Sequence, residues 1–124
     1  MRQTSREGGG FEEAAAYSHA VRIGPHVAVS GTAARDGGDA YAQTAEALRR
    51  ALADAAELGD GPEDVLRTRL LLAPGCDWEG AVRAHRDAFA GIDPANTTYV
   101  VSGLIPEGAL VEVELDAVMP DPPR

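Results

Sequence analysis

Hydrophobic and polar residues alternate along the last predicted strand, Ala109–Val118. The apolar side holds Val111, Val113, Leu115 and Ala117, and the other side holds Leu110, Glu112, Glu114 and Asp116. A period of two is typical of a sheet whose two faces differ. The polar side carries three carboxylates and no basic residue, and like charges on neighbouring strands repel. We therefore expect the acidic row to face water, a cavity or a partner subunit.

The rest of the chain predicts two strands, a helix, a strand, a helix and two strands. The predicted strands before the last are Tyr17–Ile23, His26–Ser30, Val65–Ala73 and Thr97–Ser102, and the predicted helices are Ala40–Leu58 and Trp78–Ala90. Apolar residues recur at spacings of three and four in both helices: Ala45, Leu48, Leu52, Ala55 and Leu58, then Trp78, Ala81, Val82, His85 and Phe89. Each helix therefore has one apolar stripe.

Helices with a single stripe can both lie on one face of a mixed sheet, which predicts an α+β fold. The opposite face of the sheet is then uncovered, although it still carries Val, Tyr and Leu among polar residues. A half-apolar bare face on a small domain predicts self-association.

A chain of 124 residues has the size of one domain. Residues 1–13 are polar and contain three consecutive glycines. They predict a flexible N-terminal segment, or a short edge strand near Gln3–Arg6 followed by a mobile loop. Residues 14–119 form the single predicted domain, and residues 120–124 form a Pro-rich tail.

The charge of the chain argues against nucleic-acid binding. Its formal net charge is −9, Lys is absent, and no basic cluster follows a phosphate backbone. The single cysteine, Cys76, cannot form an intrachain disulfide and fits a reducing compartment. No stretch is long and apolar enough for a transmembrane helix, and no leader opens the chain. We expect a cytoplasmic protein without a membrane partner.

The three histidines do not predict a metal centre. His19 and His26 lie on the predicted hairpin without a Cys or carboxylate at metal-ligand spacing. His85 falls on the inner face of its helix, which predicts a packed histidine. We expect neither a metal nor a cofactor.

Four segments of the chain together are similar to one known family: Tyr17–Ala34, Asp64–Leu72, Asp77–Phe89 and Pro94–Val118. The chain resembles the Rid family, which is YjgF-like and also called the reactive intermediate deaminase or L-PSP endoribonuclease family. The resemblance implies a chorismate-mutase-like fold with two helices on one sheet face. It also implies a homotrimer around a central β-barrel, with small-molecule pockets between subunits.

The sequence departs from the pattern of the family at one position that matters for substrate choice. Members with imine deaminase activity hydrolyse 2-imino or 2-enamino acids to 2-keto acids and ammonia, and an arginine after Pro-Ala holds the substrate carboxylate. Asn96 occupies that position here. An amide carries no charge, and a carboxylate beside Glu112 without a cation is repelled. A simple 2-imino acid is therefore not the expected substrate, unless Arg22, Arg67 or Arg69 reaches the pocket.

The remaining site residues also follow from the resemblance. Glu112 matches the glutamate that orients or activates the hydrolytic water, and the alternative is a barrel-lining carboxylate that bridges subunits. The implied substrate-binding residues are Asn96, Thr97, Tyr17, Ser30 and Gly31. Tyr17 has a second interpretation as a core or interface aromatic.

Three functions follow. The first is hydrolysis or processing of an imine, an enamine or a related small metabolite that is not a simple 2-imino acid, in a dedicated biosynthetic pathway. The second is a non-catalytic trimer that binds a small ligand or a protein. The third is a 2-iminobutanoate or 2-iminopropanoate deaminase in which another arginine substitutes. Ribonuclease activity, described for some relatives, is disfavoured by the acidic charge.

Overall fold

A mixed six-stranded sheet forms the centre of the fold in a computed structural model, which describes residues 1–119. The strands are β1 Arg2–Ser5, β2 Ala20–Ile23, β3 His26–Ala33, β4 Val65–Leu72, β5 Ala95–Val100 and β6 Val111–Val118. Their order is β1-β2-β3-β6-β4-β5. Neighbours are antiparallel except the parallel pair β4 and β5. The predicted α+β class is confirmed, and the predicted tail lies outside the described residues.

Two long helices, α2 Ala40–Glu57 and α3 Trp78–Phe89, pack with the sheet around one hydrophobic core. Asp39 and Asp77 cap them, because their carboxylates accept hydrogen bonds from the backbone N–H of Ala42 and Gly80. A 3-10 turn spans Pro62–Asp64. None of the helices in this part of the chain combines the length and apolar character that crossing a bilayer requires.

The alternation predicted for β6 is present. Val111, Val113 and Leu115 are at most 1% exposed, whereas Glu112 and Glu114 on the opposite face are half-buried. The central position of β6, between β3 and β4, explains this complete burial. One face of this strand therefore belongs to the core, and the other carries the acidic row.

The predicted helix stripes are wrong in part. Ala45, Trp78 and Val82 are exposed, while Gln43 and Thr44 are buried. The buried polar atoms are satisfied: Thr44 donates to Ala40 O, and the Gln43 side chain accepts from Leu110 N. Because these hydrogen bonds remove the cost of burying polar groups, apolarity alone did not identify the inner faces.

The N-terminal segment has more regular structure than the predicted mobile loop. β1 pairs with β2, as in the edge-strand alternative, and a short helix, α1, spans Gly10–Ala15. The buried carboxylate of Glu12 accepts hydrogen bonds from the backbone N–H groups of Glu7 (3.0 Å) and Gly8 (2.7 Å). These contacts fold the loop between β1 and α1 back on itself and fix the position of Glu7.

The acidic row on the bare sheet face lies beside two arginines of β4, since Arg67 is opposite Asp116 and Arg69 is opposite Glu114. Arg69, on β4, lies 3.6 Å from the Glu114 carboxylate and 3.4 Å from that of Asp116. Ile23 and Leu66 are 51% and 60% exposed in the isolated chain. The bare face is thus half-apolar, and self-association through it stays a prediction.

Candidate functional site

A cavity of about 520 Å³ brings together three of the residues singled out from the sequence, Tyr17, Gly31 and Glu112. Its other lining residues are Glu7, Phe11, His19, Thr32, Ala33, Ala34, Arg50, Ile105 and Pro106. Phe11 and Ile105 are largely exposed, and Tyr17 is partly exposed. The cavity therefore has a polar inner part and an open, apolar rim.

A β-bulge in β3 shapes the wall opposite Glu112. The register between β3 and β6 shifts between Val29 and Thr32, so that Ser30 and Gly31 together oppose the single residue Glu114. A Cβ atom on Gly31 would lie 2.8 Å from Glu112 Oε1. Glycine at this position is what allows the Glu112 carboxylate to lie against the backbone.

The Glu112 carboxyl group has the properties of a proton acceptor. Burial raises its pKa above the usual value, and the negative charge of Glu114 raises it further. A carboxylate with a raised pKa accepts a proton more readily near neutral pH than an exposed one does. Glu112 can therefore take a proton from a water molecule in the cavity.

Gly31→Ala tests the contact between Gly31 and Glu112. The new methyl group displaces the carboxylate, and we expect the kcat of a reaction that uses Glu112 as proton acceptor to fall by about 10- to 100-fold, because that acceptor has moved. The melting temperature should change little, since the colliding atom is the end of a side chain. Gly37→Ala is the matched control, because its Cβ would meet no atom within 4 Å. Equal kcat in the two variants would contradict this role of Gly31.

Ser30, predicted to contact substrate, makes a structural hydrogen bond. Its hydroxyl donates to Ser18 O at 2.7 Å, and its side chain is half-buried. This bond ties the bulge of β3 to the segment that carries Tyr17. Ser30 does not line the cavity, and its contact with substrate stays a prediction.

Asn96 and Thr97 lie on β5 and do not line the Glu112 cavity of the same chain. The Asn96 side chain is held at both ends, since its amide donates to Thr68 Oγ1 (3.0 Å) and its carbonyl accepts from Thr98 (2.8 Å). His85 Nε2 lies 2.7 Å from the same Thr68 hydroxyl. Within one chain, Asn96 is part of a hydrogen-bonded network and not a free substrate contact.

His85 is packed, as its spacing predicts. Because Thr68 Oγ1 accepts from Asn96, its own hydrogen is available to a neutral His85 Nε2. Burial lowers the pKa of His85 below its usual 6.5. The unfolded chain therefore takes up the proton first as the pH falls, and the folded state loses stability below about pH 6.5.

His85→Gln should flatten this loss of stability, since glutamine can keep a hydrogen bond to Thr68 but does not titrate. Urea unfolding at pH 7.5 and pH 5 measures the difference, and the exposed His26→Gln is the control. If His85→Gln lost as much stability between these two pH values as wild type does, His85 would not be the group responsible for the loss.

The three arginines that could replace the family arginine, Arg22, Arg67 and Arg69, do not line the cavity with Glu112. Arg22 donates to Asp60 and to Leu58 O, Arg69 pairs with the acidic row, and Arg67 Nη1 lies 3.4 Å from Thr97 Oγ1. Arg50, which was not among the candidate arginines predicted from the sequence, does line the cavity with Glu112. Its guanidinium is paired, with Nη2 2.6 Å from Glu7 Oε1.

Although no carboxylate lies at metal-ligand spacing from His19 along the sequence, two carboxylates lie near it in the fold. His19 Nε2 lies 2.8 Å from Asp54 Oδ2 and 3.7 Å from Glu7 Oε1. Glu7 lies in the loop between β1 and α1, His19 immediately precedes β2, and Asp54 lies on α2. Their separation along the chain therefore gives no sign that they meet. Burial raises the pKa of Asp54, and the positive charge that His19 carries when protonated opposes that shift.

This cluster has neither the geometry of a nucleophilic triad nor a need for a metal. Thr32 Oγ1 and Asp54 both contact the same His19 nitrogen, whereas a triad uses the two nitrogens separately. The Thr32 hydroxyl also donates to Ser30 O. The ligand atoms of Glu7, His19 and Asp54 lie within 4.8 Å of one another, but Arg50 already provides a positive charge there. Absence of a metal stays a prediction.

Comparisons with known proteins agree on one family. Residues 10–119 match the family described as Endoribonuclease L-PSP. An uncharacterized protein of Streptomyces coelicolor is 39% identical over 118 residues, which cover 90% of this chain and 88% of that protein.

Solved structures give the same result. Rv2704 of Mycobacterium tuberculosis, described as a member of the YjgF/YER057c/UK114 family, is 40% identical with a TM-score of 0.91, over 96% of this chain and 100% of that one. A Rid family protein of Yersinia pestis shares the fold at 23% identity, with a TM-score of 0.83 over 96% of this chain and 100% of that one. The chain therefore belongs to the YjgF/Rid family, whose family description is Endoribonuclease L-PSP.

Proposed function

We propose that this protein hydrolyses the C=N bond of a small imine, or of the imine tautomer of a small enamine, that is not a simple 2-imino acid, in a dedicated biosynthetic pathway. Family membership supports small-molecule processing in general, and the geometry of Glu112 supports the particular reaction. The observation that carries the proposal is a half-buried carboxylate of raised pKa that lies against Gly31 in a cavity of small-molecule size.

In the proposed reaction, Glu112 accepts a proton from water as the water oxygen attacks the carbon of the C=N bond. Glu112 then passes this proton to the nitrogen, which gives a neutral carbinolamine. Glu112 next accepts the hydroxyl proton of the carbinolamine and returns it to the nitrogen as the C–N bond breaks, so that a carbonyl compound and an amine or ammonia leave. Tyr17 forms part of the wall against which the substrate packs. No step requires a metal or a redox cofactor.

We also propose that the active unit is a homotrimer with pockets between subunits. Members of this family are typically homotrimers. The half-apolar bare face and the exposed rim residues Phe11 and Ile105 are surfaces that a neighbouring subunit would cover. In such an assembly, the edge strand β5, with Asn96 and Thr97, is available to complete the cavity of a neighbour.

Product release from a panel of C=N compounds tests the proposed reaction. The panel pairs imines generated in situ by an L-amino acid oxidase, which carry a carboxylate, with imines of the matching neutral aldehydes and ketones. We expect acceleration over the uncatalysed rate for neutral compounds and little for the acids. Acceleration of the acids alone would instead support the 2-iminobutanoate type of deaminase, with Arg50 as the substituting cation.

A binding trimer without turnover is the second candidate, and the absence of the family arginine favours it. Measurement of product release distinguishes this binding function from the proposed hydrolysis. A compound that binds in the cavity but is released unchanged by wild type, over a panel that includes neutral imines, would support the binding function. Ribonuclease activity is not proposed, because a net charge of −9 opposes binding of a polyanion.

A further inference from the structure

Three basic groups lie near a single carboxylate oxygen of Glu7, a residue that lines the cavity. Glu7 Oε1 lies 2.6 Å from Arg50 Nη2, 3.7 Å from His19 Nε2 and 3.8 Å from Arg35 Nη2. The proposed hydrolysis does not use any of these contacts. The Glu7 carboxylate therefore occupies the position where these basic groups would hold an external anion.

Glu7 is held in this position by its own segment of chain. The buried Glu12 carboxylate accepts from the backbone N–H groups of Glu7 and Gly8. On the other side, Ser5 O accepts from His19 N at 2.9 Å, and the Ser5 hydroxyl donates to Glu57. A ligand carboxylate would therefore have to displace the Glu7 carboxylate, whose effective concentration is high because it belongs to the same chain.

Arg50 is equally fixed. Its Nη1 donates to Ala33 O, its Nη2 contacts Glu7, and its side chain is 13% exposed. The cavity is lined by two glutamates, Glu7 and Glu112, and one arginine, Arg50. A second carboxylate from a ligand would meet Glu112 without a free cation, which disfavours its binding.

We propose that Glu7 is a specificity residue, which neutralises the arginine of the cavity so that neutral or cationic ligands are accepted and ligands with a free carboxylate are excluded. This inference rests on the proposed function only in placing the substrate in the same cavity. It assigns a substrate class to that cavity: imines whose carbon skeleton carries no free acid.

Binding of two matched probes tests this role without requiring turnover. The probes are 2-oxobutanoate and its neutral amide, and calorimetry measures their affinities for wild type, Glu7→Gln and Glu13→Gln. Glu13 lies on the neighbouring α1 and is exposed, so its substitution changes the net charge equally. We expect Glu7→Gln to bind 2-oxobutanoate about tenfold more tightly than wild type, equivalent to about 1.4 kcal/mol. Glu13→Gln should behave as wild type.

Two further variants make the result decisive. Glu7→Ala should give the same gain as Glu7→Gln, and adding Arg50→Gln to Glu7→Gln should abolish it, because Arg50 is the cation released. The inference is overturned if wild type binds the acid as tightly as the amide, if neither Glu7 variant gains affinity, or if the gain survives without Arg50. These experiments measure equilibrium binding, so a negative result for Glu7 does not contradict the proposed hydrolysis. The hydrolysis itself is tested separately, by product release.

Discussion

Glu112→Gln should lower kcat for C=N hydrolysis by about 100-fold or more, which is the usual contribution of a general base. The amide has almost the same shape, so it can still lie against Gly31, but it cannot accept the proton of the attacking water. KM should change much less than kcat. Product release under saturating substrate measures the effect, and Glu114→Gln on the same strand face is the matched control.

The stability of the same variant separates a catalytic role from a structural one. Because burial raises the pKa of Glu112, the unfolded chain ionises first as the pH rises past the usual value of 4.5, and wild type loses stability until the folded group has ionised. Glu112→Gln lacks this loss, so its melting temperature at pH 7 should equal or exceed that of wild type. If turnover and stability both fell, Glu112 would be a structural group, for example the subunit-bridging carboxylate of the alternative interpretation.

Arg22→Met should destabilise the protein by about 3–5 kcal/mol, the typical cost of leaving a buried charge without its partner. The Asp60 side chain is completely buried, and Arg22 Nη1 lies 2.9 Å from its Oδ1. The other oxygen of Asp60 has no hydrogen-bond partner within residues 1–119. Arg22 is therefore the group that compensates this carboxylate, which explains why it is not free to serve the cavity.

Urea unfolding at one fixed protein concentration measures this effect, since assembly would make the apparent stability concentration-dependent. Arg49→Met is the control and should have a small effect, because Arg49 is exposed and its ion pair is with Glu46, one turn away on the same helix. Adding Asp60→Asn to Arg22→Met should restore part of the stability by removing the uncompensated charge. A loss no larger than that of the control would mean that Arg22 does not compensate the buried Asp60 side chain.

The sequence was sufficient for the features that depend on local pattern. The alternation of β6 specified which residues enter the core and left Glu112 on the opposite face, because successive side chains of a strand point to opposite sides. The four segments Tyr17–Ala34, Asp64–Leu72, Asp77–Phe89 and Pro94–Val118 were together sufficient to indicate the family. The substitution of Asn96 for the family arginine, which limits the expected substrate class, is likewise visible in the sequence alone.

Tertiary structure decided which charges meet. Glu7 and His19 lie in two separate N-terminal segments, whereas Arg50 and Asp54 lie on α2, and only the pairing of β1 with β2 and the packing of α2 bring the four together. Neither their spacing nor their composition signals this, because electrostatic contacts depend on distance in space and not along the chain. The same reason explains the inner faces of the helices, where hydrogen bonds to distant residues, such as Gln43 to Leu110 N, made burial of polar side chains favourable.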